Sequence, residues 1–149
     1  MEIFVGSDYR GFERKTELLG FLVTKNYSVT DEGPYEYNEG DNFNDAAIKV
    51  AKSVRENPGS FGILICGSGH GMTIQANRFK GIRAALCDSV DAVASARKSD
   101  DANILCLSSD RVDSEKAKEI VTTFLETNFE TLERRVRRIN RLDEREDYD

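Results

Sequence analysis

Apolar positions along this chain recur in two periods. Four short runs dominated by apolar residues, Glu2–Gly6 (EIFVG), Phe61–Cys66 (FGILIC), Ile82–Cys87 (IRAALC) and Asn103–Leu107 (NILCL), together with Tyr27–Thr30, predict five strands. Between them, apolar residues fall three and four apart. Phe12, Leu19, Leu22 and Val23 make one helical stripe, and Ala47, Val50, Ala51 and Val54 a second. A short helix is predicted from about Met72 to Arg78, and another over Ser89–Ser99 with Val90, Val93 and Ala94 inward. Ala117, Ile120, Val121, Phe124 and Leu125 form the cleanest stripe. Strands that lack polar alternation and are separated by helices imply a parallel sheet covered on both faces. Right-handed crossovers then give an α/β fold, a Rossmann-like three-layer sandwich around a five-stranded parallel sheet. The acidic stretch Asp31–Asp45, with Gly33, Pro34 and Gly40, predicts a long loop.

From Leu132 the character changes. Leu132, Val136, Ile139 and Leu142 continue a helical stripe, but Arg134, Arg135, Arg137, Arg138, Arg141 and Arg145 surround it. No glycine follows Gly81, so nothing breaks this extra C-terminal helix. Two readings are open. Either it is a solvated helix lying on its own domain, or it packs on a partner subunit and lends it arginines. The expected division is therefore a Rossmann-like domain over 1–131 and a helix with an acidic tail over 132–149, the residues Asp143–Asp149 fraying.

Composition narrows the function. The length of 149 residues suits one domain, and a net charge of −6 disfavours general affinity for nucleic acid or anionic membranes. The single histidine, His70, removes zinc or iron sites that need two imidazoles, and no metal is expected. Cys66, Cys87 and Cys106 form no C-x-x-C pair and lie in apolar segments, which reads as reduced thiols in a reducing compartment. The start of the chain reads as a strand rather than a secretory signal, and the long uncharged stretch Asn57–Asn77 carries five glycines, unlike a membrane span. A cytoplasmic protein is expected.

In an open parallel sheet, ligands bind beyond the carboxyl ends of the strands. The first strand ends in Ser7-Asp8-Tyr9-Arg10-Gly11, the third in Cys66 followed by Gly67-Ser68-Gly69-His70-Gly71. Successive amides in such a loop can cradle an anion, while a tight turn without ligand would use the same glycines. The loop carries neither the dinucleotide fingerprint G-x-G-x-x-G nor the Lys-Ser/Thr of a nucleotide P-loop. Cys66, last in its strand and beside these amides, is expected to have a lowered pKa if it is catalytic; the bland alternative is a buried structural cysteine.

The block Ile63-Leu64-Ile65-Cys66-Gly67-Ser68-Gly69-His70-Gly71-Met72, then Ala76-Asn77 and Gly81-Ile82-Arg83-Ala84-Ala85-Leu86-Cys87, resembles the type B ribose-5-phosphate isomerases, a family that includes the galactose-6-phosphate isomerase subunits. Gly6-Ser7-Asp8, Asp101-Ala102-Asn103-Ile104-Leu105 and Arg135-Val136 agree in order and spacing. The resemblance implies an aldose–ketose isomerase of phosphorylated sugars, in the manner of the pentose phosphate pathway, working without metal or cofactor. Cys66 would move a proton between C2 and C1 through a cis-enediolate. The amides of Gly67, Gly69 and Gly71 would stabilise the oxyanion, Ser68 would assist or bind a hydroxyl, and Asp8 would contact the sugar. Phosphate would be held by Arg111 and Arg135, the latter across a homodimer interface, with a tetramer also open.

Three departures accompany the likeness. Asp8-Tyr9 stands where the family has Asp-His, Ser99-Asp100 where it has His-Asn, and Thr131-Leu132-Glu133 where it has Gly-Gly-Arg-His. Serine is a poor acid–base substitute for the ring-opening imidazole expected at position 99, and Asp100 sets a carboxylate where a neutral amide is expected. His70 either takes over ring opening or is a loop histidine without a role. An isomerase with a shifted substrate is thus weighed against a non-catalytic sugar-phosphate-binding or regulatory relative, or an inactive subunit of a hetero-oligomer, and more distantly against a nucleotide-binding domain.

Overall fold

The computed structural model describes residues 1–144. Strands β1 (Glu2–Ser7), β2 (Ser28–Asp31), β3 (Phe61–Cys66), β4 (Ala84–Leu86) and β5 (Ile104–Ser108) form one parallel sheet in the order β2-β1-β3-β5-β4. Helices α1 (Phe12–Thr24), α4 (Val90–Asp100) and α5 (Ser114–Glu126) cover one face, and α2 (Phe43–Glu56) and α3 (His70–Ala76) cover the other. Side chains of successive strand residues point to opposite faces. Ile3, Val5, Ile63, Ile65, Leu105 and Leu107 therefore pack toward α1, α4 and α5, while Phe4, Leu64, Cys66, Ile104 and Cys106 pack toward α2 and α3. Both faces are dry, which is why the strands show no polar alternation. The three-layer sandwich expected from the pattern is the observed one.

Details differ for local reasons. In α1 the inward residues are Lys15, Leu18 and Leu22, whereas Val23, expected inside, is 59% exposed. Lysine reaches the interior because its ammonium has partners there, Asp31 at 2.8 Å and the Pro34 carbonyl. In α4, Val93 and Arg97 turn inward, the Arg97 guanidinium lying 4.8 Å from the Phe61 ring centroid and 5.8 Å from that of Phe124. β4 is shorter than the run Ile82–Cys87 suggests: the Asn77 side chain bonds both the N–H and C=O of Ala84 (2.8 and 2.9 Å), and the Arg83 N–H bonds the Asn103 side chain.

α6 (Glu133–Arg141) buries no residue, and Leu132, Val136 and Leu142 stand exposed. Arg135 ties its start to Glu130 (2.5 Å) and to the Lys98 carbonyl (3.1 Å), and the Gly81 N–H bonds Asp143 (3.0 Å). Arg145 and most of the expected acidic tail lie outside the described residues.

β1 and β3 are neighbours, yet the helices that follow them, α1 and α3, leave to opposite faces. In an open parallel sheet such a reversal leaves a crevice at the carboxyl ends of the strands.

Candidate active site

The turn after β1 is fixed by Asp8, which is 7% exposed and caps a 3-10 turn over Tyr9–Gly11 by accepting the Gly11 N–H at 2.9 Å. The turn after β3 is held from β5. Ser109 N–H donates to the Cys66 carbonyl (2.9 Å), and Asp110 N–H (3.1 Å) and Ser108 Oγ (2.6 Å) donate to that of Gly67. With these carbonyls engaged, the loop turns its amides inward. Gly69, at φ +82°, makes the reversal, and any Cβ there would also strike Leu86. Its N–H donates to Cys66 Sγ at 3.0 Å, the amides of Ser68 and Met72 lie close enough to favour the thiolate, and His70 N–H donates to Ser68 Oγ at 3.2 Å.

Three amides near one sulfur favour thiolate, but the expected lowering of the Cys66 pKa is not what the site produces. Burial, the largest influence, pushes the thiol up; the amides oppose it and the nearby Asp8 carboxylate adds to it. Asp8 is itself raised by burial first, with the Gly11 and Arg10 amides opposing and Asp41 adding repulsion. Two acids at one crevice are thus both disposed to keep their protons. Cys87 and Cys106 are pushed to about 11 and about 12 by burial and are inert.

Four wall residues were not singled out from the sequence. The loop after β2 folds back so that Asp41 accepts the Tyr9 N–H at 2.9 Å, while its other carboxylate oxygen is buried without a partner. Tyr37 packs edge-on against Tyr9 and Phe12, both at 6.2 Å. Phe43 lies against Gly71, where a Cβ would come within 2.7 Å of its ring, and the Arg10 guanidinium lies over Gly67. The only sequence signal for the first three was a loop rich in aromatic and acidic residues; Arg10 had adjacency to Asp8 alone.

The anticipated residues fall into two groups. Asp8, Tyr9, Cys66, Gly67, Ser68, Gly69, His70, Gly71 and Arg111 all lie at the carboxyl end of the sheet, on its turns or on the last strand and first helix residues beside them, His70 and Arg111 exposed. Ser99, Asp100 and Arg135 do not join them. Neighbouring Arg97 stacks on Phe61, the first residue of β3, and Arg135 bonds the Lys98 carbonyl. This trio therefore sits at the amino end of the sheet, about 16 Å of strand away from Cys66. Ser99 and Asp100 are carried there by α4, which must run down the sheet to return the chain to the start of β5. Among the described residues no cluster of three or more His, Cys, Asp or Glu is placed to hold a metal ion, and no helix is long and apolar enough to cross a membrane.

Comparison with known proteins agrees with this architecture. Residues 3–142 match the family described as Ribose/Galactose Isomerase. A Mycoplasma pneumoniae protein named "Probable ribose-5-phosphate isomerase B" is 43% identical over 128 residues, covering 86% of this chain and 84% of that one. The crystal structure of a ribose 5-phosphate isomerase from Thermotoga maritima superposes with a TM-score of 0.92 at 43% identity, covering 97% of this chain and 98% of that one. Ribose-5-phosphate isomerase B from Mycoplasma genitalium, solved with bound ribulose-5-phosphate, gives 0.92 at 41% identity, covering 96% and 94%.

Proposed function

The chain belongs to the ribose/galactose isomerase family, and from that premise we propose that it is an aldose–ketose isomerase of phosphorylated sugars, of the ribose 5-phosphate/ribulose 5-phosphate type or a related pentose or hexose phosphate. The observation that carries the reading is the Gly69 N–H bonded to the Cys66 sulfur at 3.0 Å, in a glycine loop whose Ser68 and Met72 amides also favour the thiolate, at the carboxyl ends of β1 and β3. In the mechanism we propose, the Cys66 thiolate takes the proton from C2 of the open-chain aldose. The C2–H electron pair forms the C1–C2 double bond of a cis-enediolate, and the carbonyl electrons move to O1. Cys66, whose proton exchanges with solvent while it holds it, then delivers a proton to C1, the O2 proton passes to O1, and the ketone forms at C2. Amides of Gly67, Gly69 and Gly71 would bear the charge that develops on oxygen. Ser68 lies beside them for a sugar hydroxyl, Asp8 and Tyr9 line the sugar's other side, and His70, on the same loop, is our candidate for opening the ring.

We further propose a homodimer whose sites are shared. Ser99, Asp100 and Arg135 sit at the amino end of the sheet, and the uncovered stripe of α6 lies beside them. A second copy set amino end to carboxyl end would bring Arg135 toward the crevice that already holds Arg111, the two gripping the phosphate, and would cover Leu132, Val136 and Leu142. On this reading 1–131 is the catalytic domain and 132–149 the dimer arm. No cofactor enters the scheme, and the three free cysteines suit a reducing, cytoplasmic setting.

Proton NMR in heavy water with a panel of aldose and ketose phosphates is the test, wild type against Cys66→Ala. Deuterium entering at C1 or C2 with wild type and not with the variant is expected. Ser99, in place of a ring-opening imidazole, favours the second reading, a non-catalytic sugar-phosphate-binding subunit. Absence of exchange with every sugar, open-chain analogues included, would decide for it.

A further inference from the structure

Arg10 belongs to the turn after β1, yet its guanidinium reaches across the end of β3 to pair with Asp110 in the turn after β5. The path crosses Gly67, where a Cβ would overlap the guanidinium carbon and two of its nitrogens, so only glycine admits it. The backbone beneath is tied together: the single Ser109 hydroxyl proton lies within reach of the carbonyls of Arg10 (3.1 Å) and Cys66 (3.2 Å), and Asp110 N–H donates to that of Gly67 (3.1 Å). An ion pair whose partners are 47% and 52% exposed adds little to stability. Stability alone therefore does not account for a guanidinium laid over the first residue of the anion loop.

Position says more. The Cys66 thiol faces α2 and α3, and the Arg10 guanidinium lies over the next residue, Gly67, where a Cβ would stand. That place neighbours the reacting carbons without coinciding with them, as suits a group several bonds further along a substrate. Among the described residues the guanidinium hydrogen-bonds through Nη2 alone, to a carboxylate, which leaves much of its five-donor fork for another oxyanion.

Resting on the isomerase reading above, we propose that Arg10 holds the phosphate tail of the sugar and that Asp110 is the counter-ion it exchanges for that tail. Arg10→Gln is expected to raise KM for the phosphorylated sugar about 10–100-fold with kcat nearly unchanged. Arg10→Lys recovers part of the loss, keeping the charge without the fork. Asp110→Asn, by freeing Arg10, is expected to lower KM several-fold. If the pair were only a strap between two turns, both variants would weaken the enzyme together. An unchanged KM in Arg10→Gln, or a raised KM in Asp110→Asn, overturns the proposal. Should wild type exchange no deuterium into any sugar, the isomerase reading fails by itself, and calorimetric binding of ribose 5-phosphate against ribose tests Arg10 directly. Preference for the phosphorylated sugar that disappears in Arg10→Gln supports the assignment; equal behaviour of the two proteins, binding or not, refutes it.

Discussion

Cys66 is surrounded by donors that stabilise a thiolate and still ionises less readily than an ordinary thiol, because burial outweighs them. A raised pKa keeps the thiol protonated over a wider range. kcat/KM is therefore expected to climb with pH beyond the usual thiol value of about 8.5, and a pH–rate profile that is flat across that range would remove Cys66 as the base. Asp8 makes the complementary case for stability. Its carboxyl is raised in the folded chain by burial, so the folded state binds more protons than the unfolded one between the two pKa values, and stability falls as pH rises through that window. Asp8→Asn keeps an oxygen for the Gly11 N–H and loses the charge. Its melting temperature is expected to exceed wild type at pH 7 and to match it below the ordinary carboxylate pKa of about 3.9. Activity should fall at the same time, since the residue lines the sugar side of the proposed site. At Gly69 a side chain would meet both a left-handed φ and Leu86. Gly69→Ala is expected to cost at least about 2 kcal/mol, lowering the melting temperature by roughly 4–8 °C in a calorimeter scan.

Among the elements, α1 and the loop after β2 depend on each other through Lys15. That side chain is 1% exposed, bonds Asp31 and the Pro34 carbonyl, and lies 5.2 Å from the Phe12 ring centroid. Asp31 in turn accepts the Gly33 N–H at 2.8 Å, and Gly33 accepts the Ser7 N–H at 3.1 Å, just before Asp8. One buried ammonium thus anchors the root of the loop that sets Tyr37 and Asp41 against Tyr9. Lys15→Met is expected to destabilise by about 3 kcal/mol, because Asp31 loses its partner. It should also speed amide hydrogen exchange in residues 32–42 more than in α5; equal acceleration in both would show that the lysine serves the core and not the loop. α6 poses the opposite problem, a helix with an apolar stripe that no residue among those described covers.

The whole molecule keeps its two sets of anticipated site residues at opposite ends of the sheet, and a composite site makes a specific demand on mixtures. Cys66→Ala and Arg135→Ala should each be nearly inactive, but refolded together in equal amounts they should regain about a quarter of wild-type activity, since half the dimers then carry one intact site. Mixtures as inactive as their components would show that each chain works alone. Much of this was legible in the sequence. Ile63, Ile65, Leu105 and Leu107 announce a buried strand by composition alone, and Cys66-Gly67-Ser68-Gly69 announces a strand end because glycines there have no other economical use. Such features are local: they depend on hydrophobic period and on φ, which a residue largely carries with it. Tertiary structure alone decided the rest. Lys15 and Arg97 became interior residues only because Asp31 and the Phe61 and Phe124 rings, distant in sequence, came to meet them. The Cys66 amides were foreseeable, but the burial that overrules them depends on how densely α2 and α3 close over the sheet. Arg10 met Asp110 through a separation of 100 residues, and the run of α4 down the sheet carried Ser99 away from Cys66. Contacts of that kind follow from the path of the chain through space, which pattern along the chain constrains but does not contain.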